Sequence, residues 1–321
     1  MLTSVTVPSK DGHVKDIVLG FDNIDGNPDN AIPIVKTSSL FISLLKDIRR
    51  TEILPIGTIG FDKFVWDAFI DGTTVYLTHV SQDDFEGYPG TVLTTAECTF
   101  SDNNEFAMRI TAVSNKPTII NMSNHSYFNL AGHDKGCKEL YKHKMTMNAD
   151  KISKISEEQI PTGEFLDVGD TEFDFRLSQY MGDAISKTKT NGFDHNFCIT
   201  SALTQAQQLR FVARVIHPES GRTMEVYSDQ PNVLFYTSNN LPDPCGNISP
   251  DAENLSHCDN SSNVVGKNGA LYKKHGAFCL ETQNFPDAVH HDNFPSIVLN
   301  PGKLYRHEMI YKFGVFSGAV N

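Results

Sequence analysis

Basic charge is in short supply. The 321 residues hold 27 lysines and arginines against 39 aspartates and glutamates, a formal net charge of −12. A surface of that sign has too few cations to neutralise a phosphate backbone or an anionic bilayer, so no nucleic acid and no membrane is expected as a partner. Long apolar runs are missing as well. No stretch reaches the roughly 18 apolar residues that a membrane helix needs. The first twenty residues, MLTSVTVPSKDGHVKDIVLG, carry no basic n-region and no apolar core, so no secretory signal is expected and a cytoplasmic location is. Six cysteines, at 98, 137, 198, 245, 258 and 279, never fall into a C-x-x-C pair. That argues against a zinc ribbon and leaves free thiols as the simple expectation. Helical periodicity is scarce, FISLLKDIRR (41–50) being the best example, and no segment repeats.

Strand patterns fill the space. With 39% hydrophobic residues and 21% charged, the chain can bury a core. EFAMRITAVSN alternates, placing Phe106, Met108, Ile110 and Ala112 on one face and Arg109 and Thr111 on the other. TTVYLTHVS and TVLTTAECTF read as two more strands around the turn cluster QDDFEGYPG, and LRFVARVIHPESGRTMEVYS reads as a hairpin. QPNVLFYTSNN and SIVLNPGKLYRHEMIYKFGVF continue in that style. Many strands with turn punctuation and few short helices predict an all-β sandwich or barrel. Residues 241–269, rich in Asn, Asp, Ser, Pro and Gly, read as a long surface loop.

Three stretches combine titratable and hydrogen-bonding groups. NMSNHSYFNLAGH (121–133) sets His125 among asparagines and serines. NGFDHNFCI (191–199) carries Asp194 and His195. FCLETQNFPDAVHH (278–291) carries Glu281 after a strand-like run. A histidine and a carboxylate can open a pyranose: the base takes the anomeric hydroxyl proton while the acid protonates the ring oxygen. The aldehyde then turns about C1–C2 and closes with the other configuration. Each of these residues, taken alone, equally suits a hydrogen-bonded structural role. Residue types therefore leave an acid/base enzyme, a binding module and a glycosidase open, although a glycosidase needs two carboxylates at one site. Val289–Asp292, VHHD, reads as surface, because adjacent strand residues point to opposite faces.

Taken together, DIVLGFDNIDG (16–26), GFDKFVWDA (60–68), EGYPG (86–90), NMSNHSYFNLAGH, IPTGE (160–164), NGFDHNFCI, GKNGALYKKH (266–275), FCLETQNFPDAVHH and LNPGKLYRHEMIYKF (299–313) resemble the aldose 1-epimerase, or galactose mutarotase, family. The likeness implies one large β-sandwich domain over 1–321 with few short helices, residues 27–59 being shortened and 241–265 inserted. It implies interconversion of the α- and β-anomers of a hexose such as galactose or glucose, with no cofactor, no metal and a monomeric chain. His125 would be the general acid and Glu281 the general base. Ser126 and Tyr127 would belong to the sugar-contacting segment, Asp194 would accept hydrogen bonds from sugar hydroxyls, and His195 would be a structural neighbour. The chain departs from the family pattern before Gly60. No Asn-Arg pair occurs there, Pro55 stands at the place of a second histidine and Ile56 at that of a glycine, and Leu234 later replaces a glutamine that contacts sugar. These changes take away groups that hold the sugar and leave the proton-transfer pair. The expected function is an epimerase, with a catalytically impaired carbohydrate-binding or regulatory protein as the alternative.

Overall fold

The computed structural model describes residues 4–8, 14–18, 42–44, 61, 64–156, 160–200, 208–242 and 264–316. Two antiparallel sheets form its body. The larger has nine strands, in the spatial order Gln179–Tyr180, Lys144–Met147, Arg210–Ile216, Arg222–Ser228, Tyr305–Val315, Glu105–Ser114, Val92–Ser101, Thr74–Ser81 and Asp67–Asp71. The smaller has five: Pro161–Asp167, Ala149–Ile155, Asp194–Ile199, Asn232–Tyr236 and Cys279–Gln283. Short helices at Gly136–Leu140 and Met181–Lys187 complete the α content among the described residues. The expected all-β class and β-sandwich fold are what the chain adopts.

Period-two alternation builds the core between the sheets. From Glu105–Ser114, Met108, Ile110 and Ala112 point inward and are buried, while Arg109 faces out and pairs with Glu97 and Glu308. Met145, Met147, Val215, Met224, Val226, Met309 and Tyr311 join them from the same sheet. The smaller sheet answers with Phe197, Val233, Phe235 and Leu280. The Tyr311 hydroxyl donates across the gap to the Leu280 carbonyl at 3.2 Å, satisfying a phenol that is otherwise fully buried. The expected hairpin is present: Arg210–Ile216 pairs with Arg222–Ser228, closed by a bond from Gly221 N–H to the His217 carbonyl at 2.9 Å.

Two readings of the sequence need correction. FISLLKDIRR is not helical where it is described: Ile42–Leu44 is a strand paired with Met122–Asn124. The local helical spacing yields there to pairing with an available strand edge. VHHD does lie at the surface, with Val289, His290 and Asp292 exposed, but it is not on a strand. Ala288–His290 is a single 3-10 turn, and His290 and His291 both reach the carboxylate of Asp287 instead of facing apart. Cys98, Cys137, Cys198 and Cys279 are free thiols, as expected. Arg49, Arg50, Pro55, Ile56, Cys245, Cys258 and most of the 241–265 loop lie outside the described residues. Among the described residues, no helix is long and apolar enough to cross a membrane.

Candidate active site

The smaller sheet has one face on the core and one turned away from it. Register decides which side chains share the outer face. Asp194 pairs with Tyr236, which pairs with Cys279; Asn196 pairs with Leu234, which pairs with Glu281; Cys198 pairs with Asn232, which pairs with Gln283. Directly paired residues project to the same side, so these nine form a floor three strands wide. One end is covered by a small apolar cluster of Cys198, Phe285, Ala288, Phe294 and Ile297. The other end, at Asp194, is exposed.

The His125 segment lies beside the Glu281 strand, fastened at three levels. The Asn121 amide donates to the Asn284 carbonyl at 3.0 Å and its oxygen accepts from the Asn284 N–H at 2.9 Å. The Ser123 hydroxyl donates to the Thr282 carbonyl at 2.9 Å. Phe128 and Phe278 exchange backbone bonds of 2.8 and 3.0 Å. Asn129 ties the far end down through the Gly136 and Gly276 carbonyls. Much of the polar bed around His125 thus satisfies buried backbone groups of a neighbouring strand.

That fastening sets the imidazole over the carboxylate: His125 Nδ1 lies 3.1 Å from Glu281 Oε1. The Glu281 side chain is only 6% exposed and that of His125 17%, so the pair sits low in the floor with the histidine nearer solvent. The imidazole stacks on Tyr127, ring centroids 4.9 Å apart and planes 12° from parallel, and meets the edge of Tyr236 at 6.0 Å. Burial raises the pKa of both phenols, and the nearby ionisable groups Cys279, Glu281 and Asp194 push the same way. Both hydroxyls therefore remain protonated and able to donate. The Tyr236 oxygen also accepts the Asn240 N–H at 3.0 Å.

The remaining expected residues fall as follows. The Ser126 hydroxyl and N–H both point to Asn124 Oδ1, the N–H at 2.8 Å. Asp194 stands at the open corner of the floor. His195, one residue on, points to the opposite face, where it meets Phe173 and Phe193. Burial lowers its pKa to about 4, against the pull of Glu172, so it is a neutral packing residue. Tyr236 and Cys279 were not singled out from the sequence. The two-residue step from Cys279 to Glu281 puts both on one face, a signal that was there to be read.

Glycine is required just before the strand that carries Asp194. Gly192 has φ +138°, and a Cβ there would fall 2.0 Å from Asn239 Oδ1 and 2.9 Å from Thr237 Oγ1. Those groups clamp the next residue: Phe193 N–H donates to Thr237 Oγ1 at 2.8 Å, and Asn239 Nδ2 donates to the Phe193 carbonyl at 2.8 Å. Gly192→Ala is expected to cost about 1–3 kcal/mol in urea denaturation. Unchanged stability would show that the clamp yields freely.

A face-to-face antiparallel sandwich whose smaller sheet holds a largely buried histidine–glutamate pair, with exposed Asp194 at the corner of the same face, is a scaffold for acid/base work on a small polar ligand. Comparison with known proteins makes this specific. The aldose 1-epimerase family model matches residues 61–312. Galactose mutarotases from Bos taurus and Homo sapiens are each 35% identical over 328 aligned positions, covering 98% of this chain and 88% of theirs. An aldose epimerase homologue from C. elegans superposes with a TM-score of 0.76 at 24% identity, over 98% of this chain and 93% of its own. A galactose 1-epimerase from Lactobacillus acidophilus gives 0.69 at 21% identity, over 97% and 89%. The chain belongs to the aldose 1-epimerase family.

Proposed function

We propose that the protein is an aldose 1-epimerase, a cofactor-independent isomerase that interconverts the α- and β-anomers of a hexose such as galactose or glucose. The observation that carries this reading is the 3.1 Å approach of His125 Nδ1 to Glu281 Oε1 on the outer face of the smaller sheet. The two oxygens that exchange protons in mutarotation are bonded to the same carbon. An acid and a base that serve them must therefore be near neighbours, and these two are.

Glu281, as carboxylate, takes the proton of the anomeric hydroxyl. His125, as imidazolium, gives a proton to the ring oxygen while the C1–O5 bond breaks and C1 becomes an aldehyde carbon. After rotation about C1–C2 the steps run backward: the imidazole takes back the C5 hydroxyl proton as its oxygen attacks C1, and Glu281 returns a proton to the carbonyl oxygen. Atoms and charge balance, and both residues end as they began. Asp194 at the open corner accepts hydrogen bonds from ring hydroxyls, and Tyr127 holds the imidazole plane from behind. Polarimetry with freshly dissolved α-galactose tests the proposal. Folded protein that leaves the spontaneous rate unchanged contradicts it.

Leu234 bears on how tightly the sugar is held. It sits at the centre of the floor, half-buried, between Asn196 and Glu281 in register. An amide there would offer hydrogen bonds where the aliphatic chain offers none. Leu234→Gln is expected to lower KM about two- to tenfold with little change in kcat, the effect of one added neutral hydrogen bond of about 0.5–1.5 kcal/mol. Progress curves at several sugar concentrations measure it. An unchanged or higher KM would show that Leu234 does not face the sugar.

A further inference from the structure

We propose that the floor of this site also captures a thiophilic divalent cation of the zinc class, on His125, Cys279 and Glu281, and that the bound ion shuts the enzyme down. Capture of the ion stands on the geometry alone, whereas the inhibition rests on the epimerase reading.

The three side chains each offer one ligand atom, and these atoms all lie within 4.8 Å of one another. The closest pair, His125 Nδ1 and Glu281 Oε1, is 3.1 Å apart. Zinc bonds to nitrogen, oxygen and sulfur run about 2.0–2.3 Å, which puts two ligands of a tetrahedral ion roughly 3.3–3.7 Å apart. Small side-chain adjustments therefore suffice to close around an ion. The ligands are also held in place. Cys279 and Glu281 are two residues apart on one strand and share a face, while the stack on Tyr127 holds the imidazole. Nitrogen, sulfur and oxygen from three residues make a donor set of the kind found in open zinc sites, with a fourth position left for water. Tyr127 and Tyr236 surround it with aromatic rings, which limit solvent access to the ligands. A hard cation such as magnesium gains little from the thiolate, so the preference should be for softer ions.

A second group, Glu139, His217 and Glu219, offers no sulfur donor and so suits a thiophilic ion less well. There the Lys142 ammonium already bonds both carboxylates, at 2.8 Å to Glu139 and 2.7 Å to Glu219, and supplies the counter-charge that an ion would bring.

Binding at the floor costs the thiol its proton: the S–H bond breaks, a zinc–sulfur bond forms and one proton goes to solvent. The imidazole binds neutral and the carboxylate ionised. Apparent affinity should thus rise about tenfold per pH unit in the range where the thiol is protonated. The lone pairs that bind the ion are the ones that would move protons on the sugar, so occupancy and turnover exclude each other.

The test is a cobalt titration of the full chain after chelator treatment, reading the cobalt–thiolate charge-transfer absorption, followed by displacement with zinc. One equivalent should bind, and Cys279→Ser should abolish the band. Zinc at saturation should slow mutarotation at least tenfold, and Cys279→Ser should need at least tenfold more zinc for the same fractional slowing of its own metal-free rate. Absence of the band, or its persistence in Cys279→Ser, overturns the site. A band with no effect of zinc on rate overturns the inhibition. If Cys279→Ser fails to fold, Glu281→Gln must weaken cobalt binding at least tenfold or the proposal falls. Protein that binds cobalt as described but never accelerates mutarotation sinks the epimerase reading and leaves the metal site standing.

Discussion

Glu281→Gln lowers the mutarotation rate by about two to four powers of ten, the usual worth of a positioned proton-transfer group. Glutamine keeps the size and one carbonyl oxygen of the original side chain, so the floor should stay packed and the sugar should still bind. What it cannot do is accept the anomeric proton. The loss should therefore appear in kcat, with KM within a few-fold of wild type. His125→Asn should lose a comparable amount, since asparagine cannot deliver a proton to the ring oxygen as the C1–O5 bond breaks. The double variant separates two readings. If the residues act as one relay, removing the second after the first costs little more, and the combined loss falls well short of the product of the two. If each merely binds sugar, the losses multiply and sit in KM. A rate within a few-fold of wild type for Glu281→Gln, with folding confirmed, would remove Glu281 from the base role however close it lies to His125.

The β class was legible because alternation is a local signal: Met108, Ile110 and Ala112 read as an inward face and are one. His125 and Glu281 stood out as titratable groups beside strand-like runs, and the family likeness paired them. The sequence could not say what each polar neighbour is for. An asparagine that binds a sugar hydroxyl and one that binds a carbonyl of the next strand are the same letter. Asn121, Ser123 and Asn129 turn out to bind backbone. Nor could it give cross-strand register, which is set by contacts between distant segments. Tyr236 reaches the site because Asn232–Tyr236 pairs with Cys279–Gln283 in a register that brings Tyr236 opposite Cys279. The same non-local cause turned Ile42–Leu44 into a strand against the segment leading to His125. That places part of the divergent early region directly beside the proposed acid.

Mild acid should unfold this protein through three histidines kept neutral inside it. His143 is fully buried; its Nε2 accepts the Leu130 N–H at 2.9 Å and its Nδ1 donates to the Glu139 carbonyl at 2.8 Å. Burial first, and then the neighbouring His217, lowers its pKa to about 3. His307, also fully buried, joins the two sheets: Nδ1 donates to the Met122 carbonyl and Nε2 accepts the Thr282 hydroxyl, both at 2.9 Å. Burial lowers it to about 4, opposed by Asp229, and His195 stands at about 4 for the same reason. All three folded values lie below the 6.5 of an unfolded histidine. Above pH 6.5 neither state takes up the proton and the stability is fully present. Below it the unfolded chain binds protons that the fold refuses, so stability falls steadily as pH drops toward the folded values. Each group contributes about 1.4 kcal/mol per pH unit in that window, so at pH 5 the three together cost about 6 kcal/mol. Against a typical total of about 5–15 kcal/mol, that is enough to move the unfolding transition to far lower urea or to bring it on without denaturant. Urea denaturation at pH 7.5, 6.0 and 5.0 measures the slope. His195→Phe, which removes one titrating group from a site lined by Phe173 and Phe193, should make the slope measurably shallower. A stability that stays level from pH 7.5 to 5.0 would mean that these imidazoles find room to protonate without opening the sandwich.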